Sequence, residues 1–176
     1  DLVSFTGSGR AGKLVSEAAI CNLKKVHLEL GGKGANLVFD DADPDAVARG
    51  VRQLMINSGQ SCSAPSRMVV EESAYDQAVE IATEVGESLT VGPAEEPGPH
   101  LGPVVNKAQF EKIQGLIRSG IEEGARVIVG GPGRPEGFNR GFYVRPTIFA
   151  DVTNDMAIAR EEIFGPVLVM MKFKDE

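Results

Sequence analysis

The 176-residue chain has only two cysteines, Cys21 and Cys62, and two histidines, His27 and His100. Two cysteines are too few for a disulfide framework, and no spacing rule pairs them. A reducing compartment, bacterial or eukaryotic cytosol, is therefore the expectation. Neither histidine stands with a cysteine or a second histidine at ligand spacing, which predicts no metal site. No long run of lysine or arginine occurs and the formal net charge is −7. That balance argues against a nucleic-acid backbone or an anionic membrane surface as partner. The apolar runs are too short to span a bilayer, no signal or transit pattern opens the chain, and internal repeats and low-complexity segments are missing. What is there is ordinary for a folded protein, with 42% hydrophobic and 24% charged residues. The length suffices for one good core, or for one domain and part of another.

The chain is organised around Gly59-Gln60-Ser61-Cys62-Ser63-Ala64-Pro65. Small neighbours leave the Cys62 thiol reachable. A helical pattern over 45–56 leads into this turn, and Pro65 blocks easy continuation as helix. A thiolate is the reactive form of cysteine, activated by positive potential or an orienting partner. A free cysteine is also often a small buried hydrophobe, and both readings stand for Cys62 taken alone. Upstream, Val26-His27-Leu28-Glu29-Leu30-Gly31-Gly32-Lys33 sets one acid in an apolar run. If Glu29 is desolvated there, its pKa rises towards the range of a general base. The other reading is a strand-edge glutamate facing water, since perturbed carboxylates mark sites only in a fraction of cases.

Along the chain, residues 2–5 read as a strand, 6–9 as a turn, and 11–19 as a helix with Leu14, Val15 and Ala18 on one face. A strand, a glycine turn and a helix N-terminus present free backbone N–H groups suited to anions. Residues 25–30 form the next strand and 35–39 resume extended structure. Asp43 is positioned to cap a helix and Pro44 suits its first position; that helix runs to about Ile56, with Val47, Val51 and Leu54 apolar. A strand over 67–70 follows, then a helix capped by Ser73 and running to about Glu87, with Ala78, Ile81, Ala82 and Val85 inward. A Pro/Gly-rich loop covers 91–103, and a helix spans 107–124 with Gln109 and Lys112 one turn apart on it. A buried-type strand is predicted at 126–129 and a mobile glycine-rich loop at 130–141. Residues 142–149 read as extended, with Pro146 limiting them to an edge or bulge. A turn and short helix occupy 152–160, and a strand 167–173. This alternation predicts an α/β fold, an open, mostly parallel sheet with flanking helices.

Four ordered motifs carry a resemblance. They are Phe5-Thr6-Gly7-Ser8 with Gly12, Glu29-Leu30-Gly31-Gly32-Lys33, Gly59-Gln60-Ser61-Cys62 and Glu161-Glu162-Ile163-Phe164-Gly165-Pro166. Together they resemble the aldehyde dehydrogenase superfamily, over nearly the whole chain. The resemblance implies residues 1–30 as the end of a Rossmann-like cofactor domain and 31–176 as a truncated catalytic domain. It implies oxidation of a small-molecule aldehyde to a carboxylic acid with NAD or NADP. Cys62 is then the nucleophile and Glu29 the base that activates water. Gly7, Ser8, Leu30, Glu162 and Phe164 are implied as cofactor contacts, with Glu162 on the nicotinamide ribose, and Gln109 and Lys112 on the adenosine ribose. The backbone N–H of Cys62 is implied as one oxyanion donor, the other being an asparagine upstream of Asp1. Relatives that pass the acyl group to coenzyme A often lack the base, so Glu29 favours the hydrolytic type. Two departures stand out: Gly34 where serine or alanine is more usual, and Ile56 where an aromatic is common.

The family's chains are longer, so the expectation is a fragment with no useful activity of its own, and a cytoplasmic homodimer or homotetramer at full length. A cofactor-independent thiol esterase or acyltransferase, and a non-enzymatic structural member of the same fold, remain as alternatives.

Overall fold

A computed structural model describes residues 1–43 and 45–174 of the chain. The expectation placed on Pro44 lies outside the described residues. The chain divides into two compact units, Asp1–Gly32 and Lys33–Glu176.

In the first unit, β1 (Leu2–Gly7) pairs in parallel with β2 (Lys25–Leu30), and α1 (Gly9–Ile20) joins them. Ser8 caps α1, its Oγ accepting the Ala11 amide at 3.2 Å. The inward face of α1 differs from the predicted one. Gly12 and Ala19 are buried, whereas Leu14 is 59% exposed and Ala18 is exposed too. Backbone approach decides this: a Cβ on Gly12 would sit 2.8 Å from Leu30 Cδ2, so the helix meets β2 through its glycine.

The second unit is a five-stranded sheet in the order β3 (Ala35–Val38), β4 (Arg67–Glu71), β7 (Val167–Phe173), β6 (Thr147–Ala150), β5 (Arg126–Val129). All neighbours are parallel except β5, which runs antiparallel to β6. The central strand β7 is buried on both faces from Val167 to Met171, as expected of a parallel strand covered on both sides. Its alternation divides the core. Leu168 and Met170 join Met68, Val70 and Ile148 beneath α2 (Ala46–Met55) and α3 (Tyr75–Ser88). Val167, Val169 and Met171 join Phe149 beneath α4 (Lys107–Glu122) and α5 (Ala157–Arg160). The phenol of Tyr75, 1% exposed, ties α3 to the sheet by donating to the Met170 carbonyl and accepting the Asp151 amide at 2.7 Å.

Several local expectations change in this packing. Ser73 caps nothing: a short 3-10 turn over Glu72–Ala74 precedes α3, whose N-cap position is Ala74. Asp43 does act at the start of α2, its Oδ1 accepting the Asp45 amide at 2.9 Å. That bond, then Arg49, holds the Asp43 carboxyl below its ordinary pKa. Residues 142–146 are not strand, and β6 is an interior strand rather than an edge. Pro146 stands just before it, where its missing N–H removes no ladder bond. The strand at 126–129 is the half-buried edge of the sheet. The glycine-rich loop is tied down: buried Gln114 accepts the Gly133 amide at 2.6 Å, Arg134 lies over the Phe110 ring, and Phe138 packs on Tyr143.

Candidate active site

The cysteine turn begins where α2 ends. Asn57, Ser58 and Gly59 all take left-handed backbone angles, with φ of 52°, 55° and 69°. Three such residues in succession reverse the chain sharply, and two of them are not glycine, which is uncommon. Specific bonds hold the reversal. The Ser58 hydroxyl, 2% exposed, donates to the Gly102 carbonyl at 2.7 Å. The side chains of Asn57 and Gln60 each donate to the other's carbonyl, at 3.0 and 3.1 Å. Gln60 Oε1 also accepts the Val105 amide at 2.9 Å. Gln60 is thus a fixture of the turn rather than a reacting group. Beyond it, Cys62 is exposed, and its backbone N–H has no acceptor among the described residues. The exposure excludes the reading of Cys62 as a buried hydrophobe within this structure. Cys21 is exposed as well.

This turn abuts the Glu161–Pro166 segment. A Cβ on Gly59 would lie 2.0 Å from the Gly165 oxygen and 3.0 Å from Pro166 N. Gly165 and Pro166, which directly follow the Glu162–Phe164 stretch, therefore lie against the base of the cysteine turn. Phe164 has a left-handed φ of 55°. Gln109 Nε2 donates to the carbonyls of Ile163 and Phe164 at 2.9 and 2.8 Å, and Lys112 Nζ donates to the Glu162 carbonyl at 2.6 Å. Both residues are where the helical spacing put them, but their donors meet the loop backbone.

Two basic residues complete the neighbourhood. Arg67, at the start of β4, donates through Nη2 to the Lys33 carbonyl at 2.5 Å. Lys33 Nζ and Arg67 Nε are buried without a hydrogen-bond partner among the described residues. Burial, and next the Arg67 guanidinium, lower the Lys33 pKa from 10.5 to about 8, with Glu162 opposing the shift. The sequence shows both residues but gives neither a role; their meeting depends on the β3–β4 pairing. Gly34, the departure noted above, has a structural reason, since a Cβ there would lie 2.8 Å from the Ala64 oxygen.

The lowered Lys33 pKa fixes a sign. Between pH 8 and 10.5 the unfolded chain holds the Lys33 proton and the folded chain releases it, so Lys33 adds stability as pH rises through that window. The full excursion is worth up to about 3 kcal/mol at 1.36 kcal/mol per pKa unit. Unfolding of wild type and Lys33→Met is therefore expected to show the variant's relative advantage at pH 7.5 shrinking by pH 10; a constant difference rejects this.

In the first unit, strand geometry decides between the two readings of Glu29. The period of a strand puts Lys25, His27 and Glu29 on one face and Val26, Leu28 and Leu30 on the other. The Glu29 carboxylate is 67% exposed and lies 3.7 Å from His27 Nε2. Of its two readings, this unit shows the water-facing one, because the apolar neighbours point away from it. Leu30 packs its side chain on Gly12, and the Phe5 ring lies over Gly7, where a Cβ would meet it at 2.6 Å. Space around Gly9 is open, with no atom within 4 Å of a Cβ.

Among the described residues, no helix is long and apolar enough to cross a membrane, and no group of three or more His, Cys, Asp or Glu side chains is arranged to hold a metal.

Comparison with known proteins follows the same geometry. The model of the aldehyde dehydrogenase family matches residues 1–176. The 3-succinoylsemialdehyde-pyridine dehydrogenase of a Pseudomonas species is 52% identical over 177 residues, covering 100% of this chain and 37% of that protein. The crystal structure of an aldehyde dehydrogenase from Bartonella henselae is 57% identical with a TM-score of 0.97, covering 99% of this chain and 37% of its own. A mutant of aldehyde dehydrogenase C from Pseudomonas syringae, complexed with NAD+ and octanal, is 45% identical with a TM-score of 0.96, covering 99% and 36%. The chain thus spans a little over a third of the length of the relatives it matches. Matched along its whole length in both sequence and fold, the chain belongs to the aldehyde dehydrogenase family.

Proposed function

We propose that the full-length protein oxidises an aldehyde to the carboxylic acid with NAD+ or NADP+, with Cys62 as nucleophile and Glu29 as the base for hydrolysis. The observation that carries this is the placement of an exposed Cys62, its amide N–H without an acceptor among the described residues, on a turn packed against Gly165 and Pro166 at the end of the Glu161–Pro166 segment.

The residues present fit a dinucleotide. The open space at Gly9, just after the Ser8 cap, leaves the start of α1 clear for a pyrophosphate. Gly7 and Ser8 would hold it there. Leu30, whose side chain is occupied by Gly12, has its backbone to offer. Glu162 would hold the nicotinamide ribose by its hydroxyls, a pairing seen elsewhere in dinucleotide folds, and Phe164 would pack beside it. When bound, the oxidised nicotinamide supplies the acceptor for a hydride.

The chain's own residues supply the rest. Cys62 Sγ, as thiolate, attacks the aldehyde carbonyl and forms a carbon–sulfur bond. The Cys62 N–H stabilises the resulting oxyanion. After loss of the hydride, Cys62 carries the acyl group as a thioester. Glu29 takes a proton from water, which attacks the thioester carbon; the acid leaves and the thiolate returns. The first unit is proposed as the end of the cofactor domain and the second as most of the catalytic domain, in a cytoplasmic homodimer or homotetramer.

The test is NADH formation at 340 nm by the full-length protein with aldehyde and cofactor. Glu29→Gln is expected to give one burst of NADH per active site, then a steady rate lower by about 10² or more. No signal from wild type, or an undiminished steady rate in the variant, rejects the assignment.

A further inference from the structure

We infer that Gln109 and Lys112 are positioning residues that hold the Glu162–Phe164 backbone in place, with Gln109 dominant. Three consecutive carbonyls, Glu162, Ile163 and Phe164, accept from these two side chains on one turn of α4. Ile113 on the same turn lies under Gly165, where a Cβ would meet its Cδ1 at 2.5 Å. The helix start is itself fixed, because Asn106 Oδ1 accepts the Gln109 amide at 2.9 Å. Ile163 is 1% exposed and anchors the loop in the core.

The loop needs this hold. Phe164 takes a left-handed backbone that disfavours every residue except glycine. Gln109 bridges the carbonyls of the two peptide bonds that flank Phe164, which fixes the orientation of both peptide planes around that residue, while Lys112 holds the carbonyl of Glu162. Both Gln109 bonds are part-buried, whereas the Lys112 bond is exposed. Solvent and salt weaken an exposed charged contact, so the amide contributes more. With its N–H donors committed to the loop, Gln109 acts on the reaction through Glu162.

This assignment rests on the proposed role of Glu162, and the test separates the two. In full-length Gln109→Ala, kcat with aldehyde and cofactor is expected to fall about tenfold, the scale of two neutral hydrogen bonds. Inhibition by AMP, which probes the adenosine half alone, is expected to change less than about twofold. In a Glu162→Gln background the Gln109→Ala loss is expected to disappear. Weakening of AMP binding by about tenfold, with losses that add across the two sites, makes Gln109 a direct cofactor contact and overturns the inference. Amide hydrogen exchange over residues 161–165 in the cofactor-free protein decides independently of activity. Gln109→Ala and the isosteric Gln109→Glu are both expected to speed exchange there about tenfold, and unchanged exchange in both overturns the hold. If wild type forms no NADH, the functional reading fails while exchange still decides the positioning role.

Discussion

Cys62→Ala in the full-length protein is expected to lower aldehyde-dependent NADH formation on the order of 10⁴-fold or more, while Cys21→Ala leaves it intact. Loss of a covalent nucleophile removes the reaction path itself, which is why such losses are far larger than those of binding residues. The comparison with Cys21 is informative because both thiols are exposed. Accessibility alone therefore predicts that alkylation reaches both. The two differ in what surrounds them. Cys62 follows a left-handed reversal braced by Ser58 and Gln60, whereas Cys21 is the C-cap residue just after α1. Activity measured after iodoacetamide treatment is expected to be lost in wild type and Cys21→Ala alike. Retained turnover in Cys62→Ala sinks the nucleophile assignment.

Gly59→Ala carries the second large effect. Gly59 has φ of 69°, and a Cβ there would lie 2.0 Å from the Gly165 oxygen and 2.4 Å from the Gly165 carbonyl carbon. Left-handed backbone costs a non-glycine residue roughly 1–2 kcal/mol. The overlap adds more, because the obstacle is backbone rather than the tip of a flexible side chain. A total loss of about 3–5 kcal/mol places this among the rare large single-site effects. Relief of the clash has to push the cysteine turn away from the Glu162–Phe164 loop, and a displacement near 1 Å costs about 10² in rate. Denaturant unfolding and turnover of the full-length protein read both consequences. Gly115→Ala is the matched control: Gly115 lies within α4 and a Cβ there meets nothing within 4 Å. Its change is expected to be neutral or stabilising by about 0.5–1 kcal/mol, as for a glycine inside a helix. Equal stability of Gly59→Ala and wild type rejects the close approach.

Much of the element layout was legible because its signals are local. The strands at 25–30, 126–129 and 167–173 follow from short apolar runs ended by glycine or charge, and Ser8 stands where a helix cap belongs. Errors arose where a neighbour overrode a local preference. Ser73 has the chemistry of a cap, yet the chain enters α3 through a 3-10 turn. Leu14 and Val15 look like the inner face of α1, but packing through Gly12 turns the helix. Pro146 looks like a mark of an edge strand, but it sits one residue outside an interior one. For Glu29, the apolar run leaves burial and exposure both open, and strand periodicity, which puts Leu28 and Leu30 on the opposite face, favours exposure.

By itself the sequence determined the α/β alternation and the residue types at the motifs, including Cys62 and Glu29, since periodicity, glycine and proline act over a few residues. Only the tertiary structure decided what those motifs touch. Gly59 meets Gly165, Gln109 takes the carbonyls of Ile163 and Phe164, and Lys33 is buried beside Arg67. Each of these contacts joins segments remote in the chain, brought together by the pairing of β3, β4 and β7 and by the packing of α4 over the sheet. No local pattern encodes them, because their energy comes from close approach and hydrogen bonds that exist only once the sheet has formed.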